Sequence, residues 1–520
     1  MGQGRLQVRA RGLHGPQARD DQHGHLTLAL DRAAVSAAVR NLDLADLASR
    51  RWYAAKGEVP SSARLAHAFT LAPGAVLALV DVRTGERGER SNRYAVPFVE
   101  RGGEVLEAAE GDGAWRALAA AIAGGHTLPA MSRGGTGPDD APPGAPVDAA
   151  LVCRPAPGFA EAWGGDPAAV AIAEETPLGR DQSNTSTVIG GRMLLKAYRR
   201  LQPGLNPDLE LTAYLSEEAG FPGVPRLAGW AEVVTRDGGM ATVAMLQEFV
   251  ADAEDVYEKT AELLADLVAA PGAVSMEWAT QVAEDLGTLV AGLHAALASP
   301  PPDAPDMAPR PATHDELKGW RLDAHRQLNL AVPAVSAADP AAGAELKREA
   351  AAIASRFSRF EAVATAPTLM RIHADLHLGQ ILVAGDGYRV IDFEGEPLRP
   401  IDDRRRPDSP LRDVASLLRS LDHVARSARR RAERRTGGPI ERPGLDIDAW
   451  IERSRERFLA AYTGGLRQSG APVTLDLDLL DAFEVAKEAY EFVYAATVLP
   501  SWLWAPREGM RWLLAHGDES

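Results

Sequence analysis

The stretch RIHADLHLGQILVAGDGYRVIDFEGEP, residues 371–397, decides the reading of this chain. It holds His373 and Asp375 in a His-x-Asp pair, then Gln380 five positions beyond the aspartate. Two apolar runs follow, ILVA and YRVIDF, with glycines at 385 and 387 that suit a hairpin turn. Polar side chains crowded between buried-looking strands are poor packing and call for a chemical reason. Phosphoryl transfer supplies one, since a kinase catalytic loop sets an aspartate base five residues before an amide that holds a metal ion. Gln380 offers the same amide oxygen as asparagine on a longer arm. Asp392 lands at the strand end, where the metal-binding aspartate of a kinase stands, and Glu394 is a further oxygen donor. Asp375 is the expected base, a carboxylate able to orient an attacking hydroxyl.

A kinase also needs a cation to hold the nucleotide phosphates. GGRMLLKAYRR delivers Lys196 at the end of an apolar strand, and an acid on the next helix should pair with it. In LNPDLELTAYL the expected partner is Glu210. The Ser/Thr/Asn-rich stretch 182–191 stands where a phosphate-covering hairpin belongs, which makes Ser183, Asn184 and Thr185 phosphate candidates by position. QEFV, with Gln247 and Phe249, ends a strand where backbone groups would meet adenine. Taken singly, Lys196 reads as a surface lysine and His-x-Asp as a satisfied strand histidine. The ordered set of lysine, acid, HxDxxxxQ and a strand ending in Asp-Phe-Glu is what packing alone does not produce.

At 520 residues the chain exceeds one compact core, and its composition, 46% hydrophobic and 25% charged, is that of a soluble globular enzyme. Patterning divides it into a leader at 1–25, a small α+β domain at 26–123, a Gly/Pro/Asp-rich linker at 124–148, a β-rich lobe at 149–250 and a helical lobe at 251–520. No internal repeat is visible. The leader lacks an apolar core and does not read as a signal peptide. No apolar run approaches the roughly 18 residues that span a bilayer. One cysteine, Cys153, excludes an internal disulfide and a Cys-rich metal site, so a cytoplasmic address is expected. A net charge of −16 argues against nucleic acid, and the basic run 425–435 reads as a solvated helix end.

HADLHLGQ, IDFEGEP, residues 404–420 and LKAYRRLQPGLNPDLE closely resemble the bacterial maltokinases and their sister glucosamine kinases, which are aminoglycoside-phosphotransferase-like enzymes. The resemblance runs from about Leu44 to the C-terminus, with RWYAAKG (51–57) similar to the entrance of that group's cap domain. It implies an α+β, protein-kinase-like bilobal fold: a β-rich N-lobe and a helical C-lobe behind an N-terminal cap. It also implies ATP, Mg²⁺ and a sugar hydroxyl as acceptor. Carried over, Asp375 matches the base, Gln380 and Asp392 the metal ligands, Glu394 an acid near a second metal, and Lys196 with Glu210 the phosphate-holding pair.

The C-terminal stretch 489–514 keeps Tyr490, Glu491 and Tyr494, with Lys487 just before them. It has Ala495 where maltokinases carry a second acid, and no arginine before Pro500, so it looks closer to the glucosamine branch. Glu484, Glu488 and Glu491 fall at i, i+4, i+7 on one helix face, where acids would suit a protonated amine, and Trp502 or Trp504 would stack on the ring. Their bland reading is solvated glutamates and core tryptophans. His373, Glu488, Glu491, Tyr494, Trp502 and Trp504 are the sugar-side candidates. The expectation is a monomeric glucosamine kinase phosphorylating O6, with maltose at O1 as the alternative. An aminoglycoside-inactivating kinase and a non-catalytic binding module are the rivals.

Overall fold

The structure is a computed structural model that describes residues 30–50, 52–53, 58–85, 90–132, 148–179, 184–270, 272, 274–300, 307–395 and 400–516. The leader, most of the linker, Ser183 and part of the RWYAAKG cluster lie outside the described residues.

Two short helices, α1 (Arg32–Arg40) and α2 (Leu44–Ser49), open the chain, each capped by an aspartate side chain (Asp31, Asp43) that accepts from its first turn. They pack on an antiparallel meander of β1 (Pro60–Ala72), β2 (Ala75–Thr84), β3 (Arg90–Arg101) and β4 (Glu104–Glu107). Helix α3 (Ala114–Ala123) follows. Its sequence, AWRALAAAIA, is apolar nearly all round, as a helix buried on both sides must be. Phe69, Leu77 and Leu79 of the meander and Leu151, Cys153 and Leu195 of the next sheet join it in one core.

That next sheet has seven strands, in the order β5 (Thr127–Pro129), β6 (Ala149–Pro155), β11 (Leu227–Thr235), β12 (Met240–Glu248), β9 (Met193–Ala197), β8 (Thr185–Ile189) and β7 (Glu175–Pro177). Because β5 belongs to it, the expected linker 124–148 overlaps the seven-stranded sheet. The remaining strand of this half, β10 (Arg200–Leu201), pairs with β3, so the chain that carries Lys196 in β9 continues into the cap's sheet. Between β6 and β7 lies the short helix α4 (Phe159–Trp163), and after β10 comes α5 (Pro207–Ala213). Asn206 caps α5 by accepting from the Asp208 amide at 2.9 Å, with Pro207 pre-set at the first helical position.

The second half is helical: α6 (Val256–Ala269), α7 (Met276–Ala279), α8 (Gln281–Leu297), α9 (His314–Ala338), α10 (Pro340–Arg356), α11 (Ile401–Arg404), α12 (Pro410–Thr436), α13 (Ile447–Ser469), α14 (Leu477–Thr497) and α15 (Trp504–His516). Helix α12 is its axis, packed against α6, α13, α14 and α15. A hairpin of Ile381–Ala384 and Gly387–Val390 sits within this lobe, with His373, Asp375 and Gln380 before it and Asp392 and Glu394 after it. The basic run 425–435 is the C-terminal end of α12, where Arg431 and Arg435 pair with Glu258, Glu262 and Asp266 across α6.

Candidate active site

The loop before the hairpin is held by a buried frame. Both oxygens of Asp413 on α12 accept backbone amides, from His373 at 2.8 Å and Ala374 at 2.9 Å. Behind it, His294 on α8 reaches Asp413 at 3.4 Å and the Tyr462 hydroxyl at 2.8 Å. His373 is fully buried and packs on Phe393, with ring centroids 4.8 Å apart. Its Nε2 donates to the Ile391 carbonyl at 3.0 Å, while Nδ1 accepts from the Asp375 amide at 3.3 Å. A neutral ring with the proton on Nε2 satisfies both bonds and ties residue 375 to the strand end at 391. Ala374 and Asp392 adopt left-handed backbone, φ +69° and +67°. Such strain in non-glycine residues persists where the surroundings over-determine it, commonly at functional sites.

In the β-rich half, the Lys196 ammonium lies 2.7 Å from Asp208, 2.7 Å from Asp392 and 2.8 Å from Glu394. Burial alone would push the lysine down, but these carboxylates more than offset it and hold the ammonium charged well above its usual range. Partial desolvation works against the Asp392 carboxylate, yet Lys196 keeps its carboxyl below the ordinary value, while desolvation leaves Glu394 raised. Gln380 donates to Asp392 at 3.1 Å, and the Asn184 amide donates to Glu394. Asp208 is fixed twice more, accepting from the Tyr198 hydroxyl at 3.0 Å and the Phe393 amide at 2.9 Å. Lys196, Gln380, Asp392 and Glu394 thus meet in one place, and the Asp375 backbone is tied to the residue before Asp392 by two hydrogen bonds through His373. Asp208, Asp392 and Glu394 bring an oxygen each to within 4.8 Å of one another, a donor set of hard oxygens suited to a divalent cation.

Across the loop, α14 presents Lys487, whose ammonium is 3.7 Å from Asp375 and 3.1 Å from Glu491. Burial opposes the charge on Lys487, and Glu491 and Asp375 restore it, so the ammonium is raised; Glu491 is lowered in turn, its burial outweighed by Lys487. Burial also lowers His377, which neighbours Asp375 and Lys487 and accepts the Gly379 amide on Nδ1 at 3.1 Å. A cavity of about 60 Å³ beside Ala374 is lined by Asp323 and Gln327 of α9 together with Lys487 and Tyr490 of α14.

Comparison with known proteins agrees with this layout. Residues 47–126 match the maltokinase N-terminal cap domain, and residues 174–451 match the phosphotransferase enzyme family. A glucosamine kinase of Streptacidiphilus jiangxiensis is 30% identical over 459 residues, covering 86% of this chain and 93% of its own. This chain belongs to the glucosamine kinase family. A second member, from Mycolicibacterium smegmatis, is 30% identical over 346 residues, covering 66% of this chain and 81% of its own. A solved glucosamine kinase in complex with glucosamine, ADP and inorganic phosphate superposes with a TM-score of 0.65 at 27% identity, covering 92% of this chain and 99% of that one. The α+β, kinase-like fold behind a cap is therefore that of the family, and the chain is a phosphotransferase enzyme.

Several expected contacts fall elsewhere. Glu210 does not meet Lys196. Asp208, two residues earlier, does, and Glu210 pairs with Arg371 and Arg405 at 2.7 Å each. His373 is sealed from any ligand by its two backbone bonds and acts on the loop instead. Of the three acids expected to share a face, Glu484 and Glu488 are fully buried: Glu484 pairs with Arg419 and Arg455, and Glu488 accepts from His423 at 3.0 Å. Glu491 alone reaches Lys487 and the Asp375 side. Tyr494 is 40% exposed, and Trp502 and Trp504 pack edge to face at 5.0 Å, Trp502 against His423 and Trp504 under Arg430. The Phe249 amide is spent on the Arg192 carbonyl at 2.8 Å and is not free for adenine; Gln247 is a buried ladder residue. Thr185 opens β8 and accepts from Arg199 at 3.2 Å. Asp413 escaped the sequence reading because its partners are backbone amides 39 and 40 residues away, which leave no side-chain signal.

Proposed function

We propose that this kinase transfers the γ-phosphoryl group of ATP to O6 of glucosamine. The observation that carries the acceptor side is Lys487 shared between Asp375 and Glu491 beside the Lys196 cluster. Two carboxylates around one ammonium leave a net negative charge, which one protonated sugar amine would balance. The glucosamine and ADP in the solved relative support the same choice. The match to a maltokinase cap does not favour maltose, because the glucosamine kinase comparison covers 92% of the chain, cap included.

In this reading Asp375 accepts a hydrogen bond from the sugar hydroxyl and aims its oxygen at the γ-phosphorus. The imidazole of His373 and the carboxylate of Asp413 keep that base in place. Lys196, fixed by Asp208, grips the phosphates, so catalysis is chiefly placement and charge neutralisation. Asp392 and Glu394, with the Gln380 amide against Asp392, fit Mg²⁺ as oxygen donors. Such an ion, when bound, neutralises charge on the phosphate oxygens. Among the described residues no helix is long and apolar enough to cross a membrane. We take the enzyme to work as a monomer in the cytoplasm, where ATP is supplied, with the cap, nucleotide lobe and helical lobe as its three units.

The test is purified protein with ATP and Mg²⁺ against glucosamine, glucose, maltose and kanamycin, followed by ADP release and by ³¹P NMR of the product. The expected result is the highest kcat/KM on glucosamine, with a 6-phosphate resonance. Turnover confined to maltose would move the enzyme to the maltokinase branch, and turnover confined to kanamycin to antibiotic inactivation. No turnover on any of them would leave a binding module.

A further inference from the structure

Helix α5 carries two acids that look in different directions. Asp208 faces Lys196 and the Phe393 amide. Glu210 turns to the catalytic half of the molecule, 2.7 Å from Arg371, and accepts both arms of the Arg405 guanidinium at 2.7 and 3.1 Å. The forked contact fixes orientation as well as distance. Arg371 is buried, its side chain only 4% exposed, and stands two residues before His373 on the segment that leads into the base loop. Arg405 directly follows α11, whose last residue, Arg404, donates to the Glu394 carbonyl at 2.9 Å and to the Gln202 amide oxygen. Arg404 therefore holds Gln202 against the segment that bears Glu394, and Glu210 joins Arg405 to Arg371 on the segment that leads to Asp375.

We propose that Glu210 is a positioning residue for phosphoryl transfer. By binding Arg371 and Arg405 at once it latches α5 across the cleft and sets the spacing between Lys196 and Asp375. Helix α5 is the lever: Asp208 and Glu210 are two residues apart on one short rigid element, so a shift at the arginines is passed to the lysine. An error of about 1 Å in such a spacing costs on the order of 100-fold in rate. An ion pair that merely packed the two halves together would affect melting and leave the rate of each folded molecule alone.

This latch rests on the kinase reading of Lys196 and Asp375, and its test separates the two. Arg405→Gln, Arg405→Lys, Glu210→Gln and the Glu210→Gln/Arg405→Gln double variant are compared by kcat, KM for each substrate, ATP Kd without acceptor, and Tm. Arg405→Gln, on a partly exposed side chain, is expected to lose about ten-fold in kcat with glucosamine KM within about two-fold and Tm nearly unchanged. Arg405→Lys should recover part of the loss, and the double variant should be no worse than Glu210→Gln alone. The latch is overturned if both single variants keep kcat within about two-fold per folded molecule, or if their losses multiply in the double. Should Glu210→Gln not fold, the Arg405 pair decides. Should the wild type turn over no sugar, the amino-sugar reading fails, and ATP Kd then judges the latch: about ten-fold weaker in Arg405→Gln supports it, unchanged refutes it.

Discussion

The two sides of the cleft differ in how they hold charge. On the nucleotide side of the proposed reading one lysine is ringed by Asp208, Asp392 and Glu394, all within 2.8 Å, with Asp208 buried and Asp392 partly open to solvent. On the acceptor side α14 divides its acids. Glu484 and Glu488 turn inward to Arg419, Arg455 and His423, and only Glu491 stays with Lys487 near Asp375. One region concentrates negative charge around a fixed cation. The other spends most of its acid on the scaffold and keeps a single carboxylate for the cleft. If the proposed function holds, the phosphate-holding cluster is rigid by construction, whereas acceptor choice turns on very few groups.

Mutations can break this contrast. The largest effect should come from Asp375→Asn, which leaves the loop's backbone bonds intact but removes the base. kcat is expected to fall roughly 10³-fold, while ATP titrated by intrinsic fluorescence still binds. A rate near wild type would dismiss Asp375 as the base. Next is Asp208→Asn, which strips one carboxylate from Lys196 and weakens the Phe393 contact. ATP kcat/KM should drop about 100-fold in steady-state assays, with sugar KM little changed.

Glu491→Gln sharpens the comparison from the other side, raising KM for glucosamine about ten-fold and for glucose much less. Equal changes on both sugars would give that glutamate to packing alone. Smallest is the inward branch. Burial opposes protonation of His423, but Glu488, with Asp422 behind it, wins and raises the ring above 6.5 despite nearby Arg419. A raised histidine stabilises the fold fully below its unfolded value and loses that contribution as pH climbs through the folded one. In calorimetric scans, the Tm gap between wild type and His423→Gln should therefore be widest near pH 6 and narrow toward pH 9.

The legible part of the site was the part whose chemistry fixes residue type and order along a short run. Asp375, Gln380, Asp392 and Glu394 lie within 20 residues, and the hairpin that separates them is itself readable from its turn. Lys196 was legible as the end of an apolar strand. Asp208 was not, because it and Glu210 are two apart on the same helix, about half a turn out of phase. Which of them faces the lysine depends on where α5 starts, a boundary set by Asn206 and Pro207 that sequence places only to within a residue or two. Glu484 and Glu488 of α14 fell outside the cleft for a different reason. Their part of the helix face is covered by arginines from α12 and α13 that no local pattern announces, which leaves Glu491 alone toward the cleft. The cap, the β-rich lobe and the helical lobe were recovered in order, while the seam between them was not, since β5 and β10 each cross into a neighbouring unit.

That seam decides how the chain can be cut. The polypeptide leaving Lys196 runs through Tyr198 and Arg199 straight into hydrogen bonds with β3, and Trp115, Leu118 and Ile122 of α3 are clamped between two sheets. A protease nick or gene truncation that discarded everything ahead of residue 149 would strip an edge from the seven-stranded sheet and bare a broad greasy surface to water. Shuffling this amino-terminal module among other phosphotransferases should consequently succeed only when the recipient brings a matching strand for it to grasp.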